Sequence, residues 1–510
     1  MTVINPSSIS GITSITMPSG DGNVLTIHTN DGTERFRIDS SGNVKVGSAC
    51  TISQDGDVFF TGVCTATTLT GAASGLTGAL PAIDGSALTG MASTENVRTG
   101  ILDVAGISTF RNTMNVGAAV TISESGIEAS GIGITVANIN GAQIGGRRNI
   151  IINGAMLVAQ RGTSSTTSGT QTIDRFALDH SGTDEAPTQE QVDVSSGTGP
   201  YTEGFRKAFK ITNGNQTSGT GATDYIGFRQ TIEAQNLANS GWNYNSASSF
   251  VTLSFWIKSS VAQSFEFNLR TEDGTNYIYL MSTGSLSADT WTKVVKTIPG
   301  NSNLTINNDI GVGANFYLMA FSGTTYTNDP DTLHNAWQVY NSNWLFGKDS
   351  TTTWYTTNDA TLEITGVQLE LGPQATAFEH RSFGEELALC QRYCQVFEGP
   401  NNSQGGDSSQ TALCENCTLY GANNLFMSIP TKVSMRAKPS MSVATGTNYY
   451  TVYSNGGGTN VDGSGMGMNG NTGTEFFVIQ QYGTSVGSAG HSAIFRLNNT
   501  SAKIIFSAEL

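Results

Sequence analysis

Five aromatic residues lie close together in the sequence: Trp337, Tyr340, Trp344, Trp354 and Tyr355. Asn, Ser and Thr fill many of the positions between them. Flat rings beside amides and hydroxyls suit sugar binding: a ring stacks on the apolar face of a pyranose, and the polar groups read its hydroxyls. The same rings also suit the closed end of a β-sandwich core, because large aromatics dominate buried packing. Their spacing leaves both readings open.

The six cysteines stand at 50, 64, 390, 394, 414 and 417. Cys390-x3-Cys394 and Cys414-x2-Cys417 approach zinc-ribbon spacing. Against zinc, Leu387, Cys390 and Cys394 share one face at helical spacing. The Glu415-Asn416 pair is also unlike the usual metal knuckle. Packing, a disulfide closed after release from the cell, and zinc all stay open, with packing the simplest; no cofactor is expected. Synthesis in a reducing cytosol argues against a disulfide framework.

Glycoside hydrolysis needs two carboxylates roughly 5–10 Å apart. Asp174, Asp179, Asp184, Glu185, Glu272, Asp273, Asp329 and Asp331 are candidates, but most sit in Gly, Thr or Asn turns. The five histidines are scattered at 28, 180, 334, 380 and 491. No spacing marks a catalytic set, so the expectation is a protein that is not an enzyme. A polysaccharide-depolymerising spike is the alternative, and a purely structural fibre segment the third reading.

The elements that must position these residues are strands. Only 13% of the 510 residues are charged, and helix formers rarely cluster while β-branched residues and 60 glycines abound, which places the chain in the all-β class. Between about 147 and 382, some ten strand-like runs alternate with Gly, Asn and Ser clusters. They include Ile150 to Val158, Tyr225 to Ile232, Phe250 to Lys258 and Thr361 to Leu371. That spacing predicts a jelly-roll β-sandwich. Ser382, followed by Glu385 three residues on, makes a capping box that opens one short helix. Further strands to residue 510 predict a smaller β-sandwich tip.

Residues 21–146 read differently. Asp31-Gly32, Ser41-Gly42 and Asp55-Gly56 mark turns between short alternating runs. The pattern Val46-Gly47-x-Ala49-x-Thr51-Ile52-Ser53 returns 70 residues later as Val116-Gly117-x-Ala119-x-Thr121-Ile122-Ser123. In this register Cys50 and Cys64 align with Val120 and Ile134, so apolar packing explains those two cysteines. One copy of such a chain buries too little to offset its ordering entropy. An intertwined homotrimeric fibre shaft is the physical expectation. Arg147 and Arg148 stand at the junction of shaft and head. In a trimer they would bring six charges to the neck, facing acidic residues of neighbouring chains or bound anions.

A net charge of −15 repels phosphate backbones, so no nucleic-acid partner is expected. No apolar run reaches the ~18 residues that would span a bilayer, so no membrane insertion is expected.

Several phrases resemble bacteriophage tail fibres. Asn149-Ile-Ile-Ile-Asn-Gly-Ala-Met-Leu-Val-Ala-Gln-Arg-Gly-Thr with Ile173-Asp-Arg-Phe resembles the start of a fibre head domain. Ile364-Thr-Gly-Val-Gln-Leu-Glu-Leu-Gly and Phe378-Glu-His-Arg-Ser-Phe-Gly-Glu-Glu-Leu-Ala-Leu-Cys-Gln-Arg-Tyr are similar to its end. Phe36-Arg-Ile-Asp-Ser-Ser-Gly-Asn-Val resembles the shaft repeats of marine phage fibres. The resemblance implies a trimeric fibre with a carbohydrate-binding-like jelly roll, and it supplies no catalytic motif. It divides the chain into a virion-attachment segment (1–20), shaft (21–146), head (147–382) and tip (383–510). It places the protein in the virion, held at its N-terminus by a tail or adaptor protein and adsorbing to a host cell-surface polysaccharide.

Overall fold

The computed structural model describes residues 24–48, 50–61, 65, 148–327, 334–342, 351–400 and 411–510, with three short strands between 114 and 129. The attachment segment, Arg147, Trp344 and Cys64 lie outside the described residues. The chain divides into two compact units, Met1–Asn112 and Thr113–Leu510.

In the first unit, strands Leu25–His28, Glu34–Ile38, Val44–Val46, Cys50–Ile52 and Val58–Phe60 form an antiparallel meander in chain order. Aspartates tie its turns. Asp31 Oδ1 accepts from the Thr33 amide at 2.9 Å, and Asp39 Oδ1 accepts from the Ser41 amide at 3.0 Å. No described residue of this sheet is buried within a single chain. Phe59 is 59% exposed and Phe60 51%, and because they are adjacent they stand on opposite faces.

The 70-residue repeat is visible in strand pairing. Val46 pairs with Cys50 and Val44 with Ile52; in the second copy Val116 pairs with Val120 and Met114 with Ile122. The position that takes Cys50 in one copy takes Val120 in the other.

The body of the second unit is a β-sandwich of two six-stranded antiparallel sheets. In the first sheet the order is Phe176–Ser181, Tyr225–Glu233, Val312–Ser322, Glu266–Thr271, Tyr277–Ser282, Trp337–Val339. In the second it is Thr292–Pro299, Phe250–Ser259, Thr361–Leu371, Lys207–Thr212, Thr188–Asp193, Ser164–Ser165. Alternation sends Phe228, Phe267, Phe316 and Leu318 from the first sheet into one core with Val251, Leu253, Phe255 and Ile364 from the second. This is the all-β sandwich expected from the strand spacing.

Ile150–Val158, expected to be a strand, is not one. It is a bent segment with Asn153 at φ 61° and Met156 at φ 58°. Asn153 holds it: its Nδ2 donates to the carbonyls of Val158 (2.8 Å) and Asp174 (2.9 Å), and its Oδ1 accepts from the Val158 amide. The run is apolar because it is buried, with its backbone groups met partly by side chains and partly by single bonds to Thr361–Leu371, where the Ile150 amide donates to the Leu369 carbonyl and the Val367 amide to the Gly154 carbonyl.

The helix is Phe383–Gln391. Ser382 Oγ accepts from the Glu385 amide, and Glu385 returns the bond to the Ser382 amide at 2.9 Å. Cys390 packs with Ile152, Val158 and Tyr393. Cys394 lies beyond the helix, on strand Cys394–Glu398, so the shared helical face ends at Cys390.

In the C-terminal part, strands Cys394–Glu398, Lys503–Ser507 and Ser440–Val443 make a small sheet. It faces a seven-stranded one that includes Thr411–Gly421, Asn424–Pro430, Phe476–Tyr482 and Ser492–Leu497. Phe506 of the small sheet stacks on Phe477 of the large one, ring centroids 3.7 Å apart.

A polar joint connects the two cores. Glu509 accepts from Arg161 at 3.1 Å and from Arg175. The Arg175 guanidinium lies 3.6 Å over the Tyr393 ring. Arg392 and Tyr393 both donate to Glu233, at 2.6 and 2.5 Å. Burial works to raise the Glu233 carboxyl, but the bonds from Arg392 and Tyr393 outweigh it and hold the group below its usual range.

Candidate functional site

The inward positions of the first sheet are apolar; the alternate positions carry a different chemistry. Strand pairing lines them up in rows across the outer face. One row runs Ala177, Arg229, Tyr317, Asn268, Leu280. The next runs Thr231, Asn315, Arg270, Ile278, Gln338. These are mostly polar and aromatic residues on central strands, where a solvated face would ordinarily carry simple Thr, Ser and Lys.

The face is held by a continuous set of bonds. The Arg270 guanidinium sits between two rings, 5.0 Å from the Tyr317 centroid and 4.7 Å from that of Tyr340. It donates to Tyr317 Oη at 3.2 Å and to Glu272 at 2.5 Å. Glu272 also accepts from Asn315 (2.6 Å) and Asn276 (2.8 Å), and Asn315 accepts from Thr231 (2.7 Å). Arg229 donates to Asp179 at 2.6 Å. Nearby, Tyr225 and Tyr326 meet edge to face at 5.5 Å. Burial raises the phenol groups of Tyr225, Tyr317 and Tyr340, so they stay neutral hydrogen-bonding groups. Three carboxylates lie on or beside this face. Each is engaged: Asp179 by Arg229, Glu272 by Arg270, and Glu266 by His334 at 2.5 Å. Thr231, Asn268, Asn315 and Tyr317 are buried within this set, and the half-buried Tyr225, Arg229, Arg270, Asn276, Gln338 and Tyr340 are the groups it leaves partly open to a ligand.

The aromatic residues singled out in the sequence do not form one cluster. Trp354 and Tyr355 are 0% and 1% exposed. Trp354 Nε1 donates to the Thr361 carbonyl at 3.0 Å, and Tyr355 Oη donates to Asp224 at 2.9 Å. These two rings close the sandwich core and present no face to a ligand. Trp337 is half-buried against the core, 5.3 Å from the Tyr279 ring, with Nε1 donating to the Pro299 carbonyl at 2.7 Å. Tyr340 alone of the described four joins the polar face. The other members, Tyr225, Arg229, Arg270, Glu272 and Tyr317, were not singled out for it. Their signal was present: within alternating strands, tyrosine and arginine occupy the positions that face away from the core.

Arg148 donates to Thr376 Oγ1 at 2.7 Å and to the Ala377 carbonyl at 3.2 Å within its own chain. The fibre-like phrases converge beside it. Asn149 Nδ2 donates to the Val367 carbonyl, Asn149 Oδ1 accepts from the Leu369 amide, and its own amide donates to Glu379 at 2.6 Å. Arg381 donates to the Asn149 and Ile151 carbonyls, and Glu386 accepts from the Asn153 amide. The Asn149–Gly162, Ile364–Gly372 and Phe378–Tyr393 phrases therefore form a buried polar clasp. Among the described residues, no group of three metal-ligating side chains is found.

No protein-family profile matches the chain, and no curated protein sequence does. Among solved structures it is similar to the enzymatically active domain of tailspike protein 4 of bacteriophage CBA120. That match has 12% identity and a TM-score of 0.23, and covers 44% of this chain and 21% of that one. It is also similar to a family 11 carbohydrate-binding module of Clostridium thermocellum (12%, TM-score 0.19, 43% and 98%). A third is a putative sugar binding protein of Bacteroides thetaiotaomicron (13%, TM-score 0.23, 44% and 100%). The chain thus spans about a fifth of the tailspike's length. No residue role is carried over from these structures.

Proposed function

We propose that this protein is the receptor-binding fibre of a bacteriophage. In this reading it is a homotrimer, carried in the virion and joined at its N-terminus to a tail or adaptor protein. It adsorbs to a host cell-surface glycan without cleaving it. The observation that carries the reading is the polar, ring-bearing outer face of the first sheet, from Tyr225 through Tyr317 and Arg270 to Tyr340. A saccharide ring would rest on Tyr340 or Tyr225, with its hydroxyls met by the half-buried Asn276 and Gln338 side chains. Single-site affinity for sugar is weak, and three copies per fibre compensate through avidity.

The exposed apolar residues of the first unit support trimerisation, since neighbouring copies would cover Ile27, Phe59 and Phe60. The fibre-like phrases support the phage assignment.

The test is adsorption of the purified full chain to host cells and their extracted surface polysaccharide. Tyr340→Ala combined with Tyr225→Ala is expected to reduce cell binding at least tenfold with an unchanged melting temperature. Undiminished binding by a folded double variant would overturn this assignment of the site. New reducing ends released from the polysaccharide would overturn the non-catalytic reading in favour of a depolymerising spike.

A further inference from the structure

Cys414 and Cys417 are three residues apart on strand Thr411–Gly421. In a regular strand, residues three apart face opposite sides. Here the pairing with Ser492–Leu497 slips. Cys414 pairs with Phe495 and Cys417 with Ala493, so three steps on one strand match two on the other. The extra residue is a bulge, and it turns both sulfurs toward the same side. Cys417 is buried in the C-terminal core, and Cys414 is half-buried against it. Phe495 and Ala493, two residues apart, fix the spacing of their partners at about 6.6 Å. That lies within the range of roughly 4.4–6.8 Å between Cα atoms that a disulfide spans.

Two further features make the pair asymmetric. The Cys417 thiol donates toward Cys414: its Sγ lies 3.6 Å from the Cys414 carbonyl oxygen, and its hydrogen bond to the Cys414 sulfur pulls the Cys414 thiol well below its usual range. That same bond, with burial, pushes Cys417 up. Cys414 is half-buried and is followed by the exposed Glu415 and Asn416, while Cys417 stays buried. In Cys390 and Cys394, by contrast, both thiols are fully buried and burial raises both, so neither is the readily ionised partner that Cys414 is.

We propose that Cys414 and Cys417 are a redox-active dithiol that closes to an intrachain disulfide by exchange with small external disulfides. The Cys414 thiolate attacks one sulfur of the external disulfide, forming a mixed disulfide and releasing one thiolate. Cys417 then gives its proton to solvent and attacks the Cys414 sulfur, expelling the second thiolate. Two protein thiols are oxidised and one external disulfide is reduced to two thiols. The bulge supplies the geometry, so closure needs little movement of the strand. The Glu415 charge next to Cys414 favours neutral or cationic disulfides over anionic ones.

The test uses the reduced full-length protein and bis(2-hydroxyethyl) disulfide, a small neutral disulfide. After treatment, two thiols per chain should become resistant to alkylation, and peptide mass mapping should join Cys414 to Cys417. Cys417→Ser should stop at a mixed disulfide carrying one mercaptoethanol on Cys414. Cys414→Ser should take up none at Cys417. The wild-type readout does not depend on how either variant folds. Full alkylation of both wild-type thiols after treatment, or a linkage joining Cys414 or Cys417 to another cysteine, would overturn the proposal.

Discussion

Asp174 shows how a single side chain is set by its surroundings. It is fully buried, its oxygens accept from the Gln160 amide (3.0 Å) and side chain (2.5 Å), and Arg161 lies 3.8 Å away. Burial dominates and lifts its carboxyl to about 6, with Arg161 and Gln160 pulling against it. The unfolded chain would titrate near 4. Between those values the folded state binds more protons than the unfolded state, so stability falls as pH rises through the window and stays lower above it. Asp174→Asn removes that proton linkage. Its stability relative to wild type should therefore improve by up to about 3 kcal/mol as pH is raised from 4 to 7. Paired denaturant melts across this range would measure the change, and a pH-independent difference would contradict it. At the same scale, sequence spacing did not distinguish Tyr340 from Trp354 and Tyr355. All three stand among Ser, Thr and Asn, and burial depends on partners such as Phe321 and Asp224 more than thirty residues away.

The segment 150–158 carries the argument at the scale of an element. A run of isoleucines beginning after Asn149 has the composition of a strand, and local propensity supports that reading. The structure replaces it with a bend because Asn149 and Asn153 offer their own amides and carbonyls to the backbone. Gly154 is part of the same bend. A Cβ there would lie 2.0 Å from the Val367 carbonyl oxygen, while the Val367 amide donates to the Gly154 carbonyl at 2.9 Å. The two backbones cannot separate without breaking that bond. Gly154→Ala should cost about 3 kcal/mol or more, measured as a shift in denaturant midpoint at constant slope. A near-neutral result would mean that the bend gives way easily. The capped helix and the long sandwich strands were legible in the sequence because their signals are local and periodic. The clasp was visible only as a familiar phrase. Its bonds join residues more than two hundred positions apart, which no periodicity encodes.

For the whole molecule, the two units rest on different physics. The second has two apolar cores joined by ion pairs and needs no partner to bury them. The first has a single meander with apolar side chains half exposed on both faces. Covering a residue such as Phe59 is worth roughly 1–2 kcal/mol. A shaft built on that gain should depend on protein concentration. Sedimentation of the full chain at micromolar concentration is expected to give three times the monomer mass. Dilution should melt the residues 21–146 before the sandwich, as followed by protease cleavage. A monomer with a protected N-terminal part would contradict the trimer. The all-β class and the repeat were legible at this scale, because turn spacing and self-similarity survive without knowledge of contacts.

Asn149 has a mechanical consequence. Tension entering the second unit from its N-terminal side meets this residue at the edge of the described body. There the chain is bonded at once to Val367, Leu369, Glu379 and Arg381. These bonds share a pulling load in parallel, so none of them fails alone. Thr361–Leu371 lies inside its sheet between Phe250–Ser259 and Lys207–Thr212, so force passes from the tether into the middle of the sandwich instead of peeling an edge strand. A load reaching Asn149 is therefore carried by a central strand and its two neighbours.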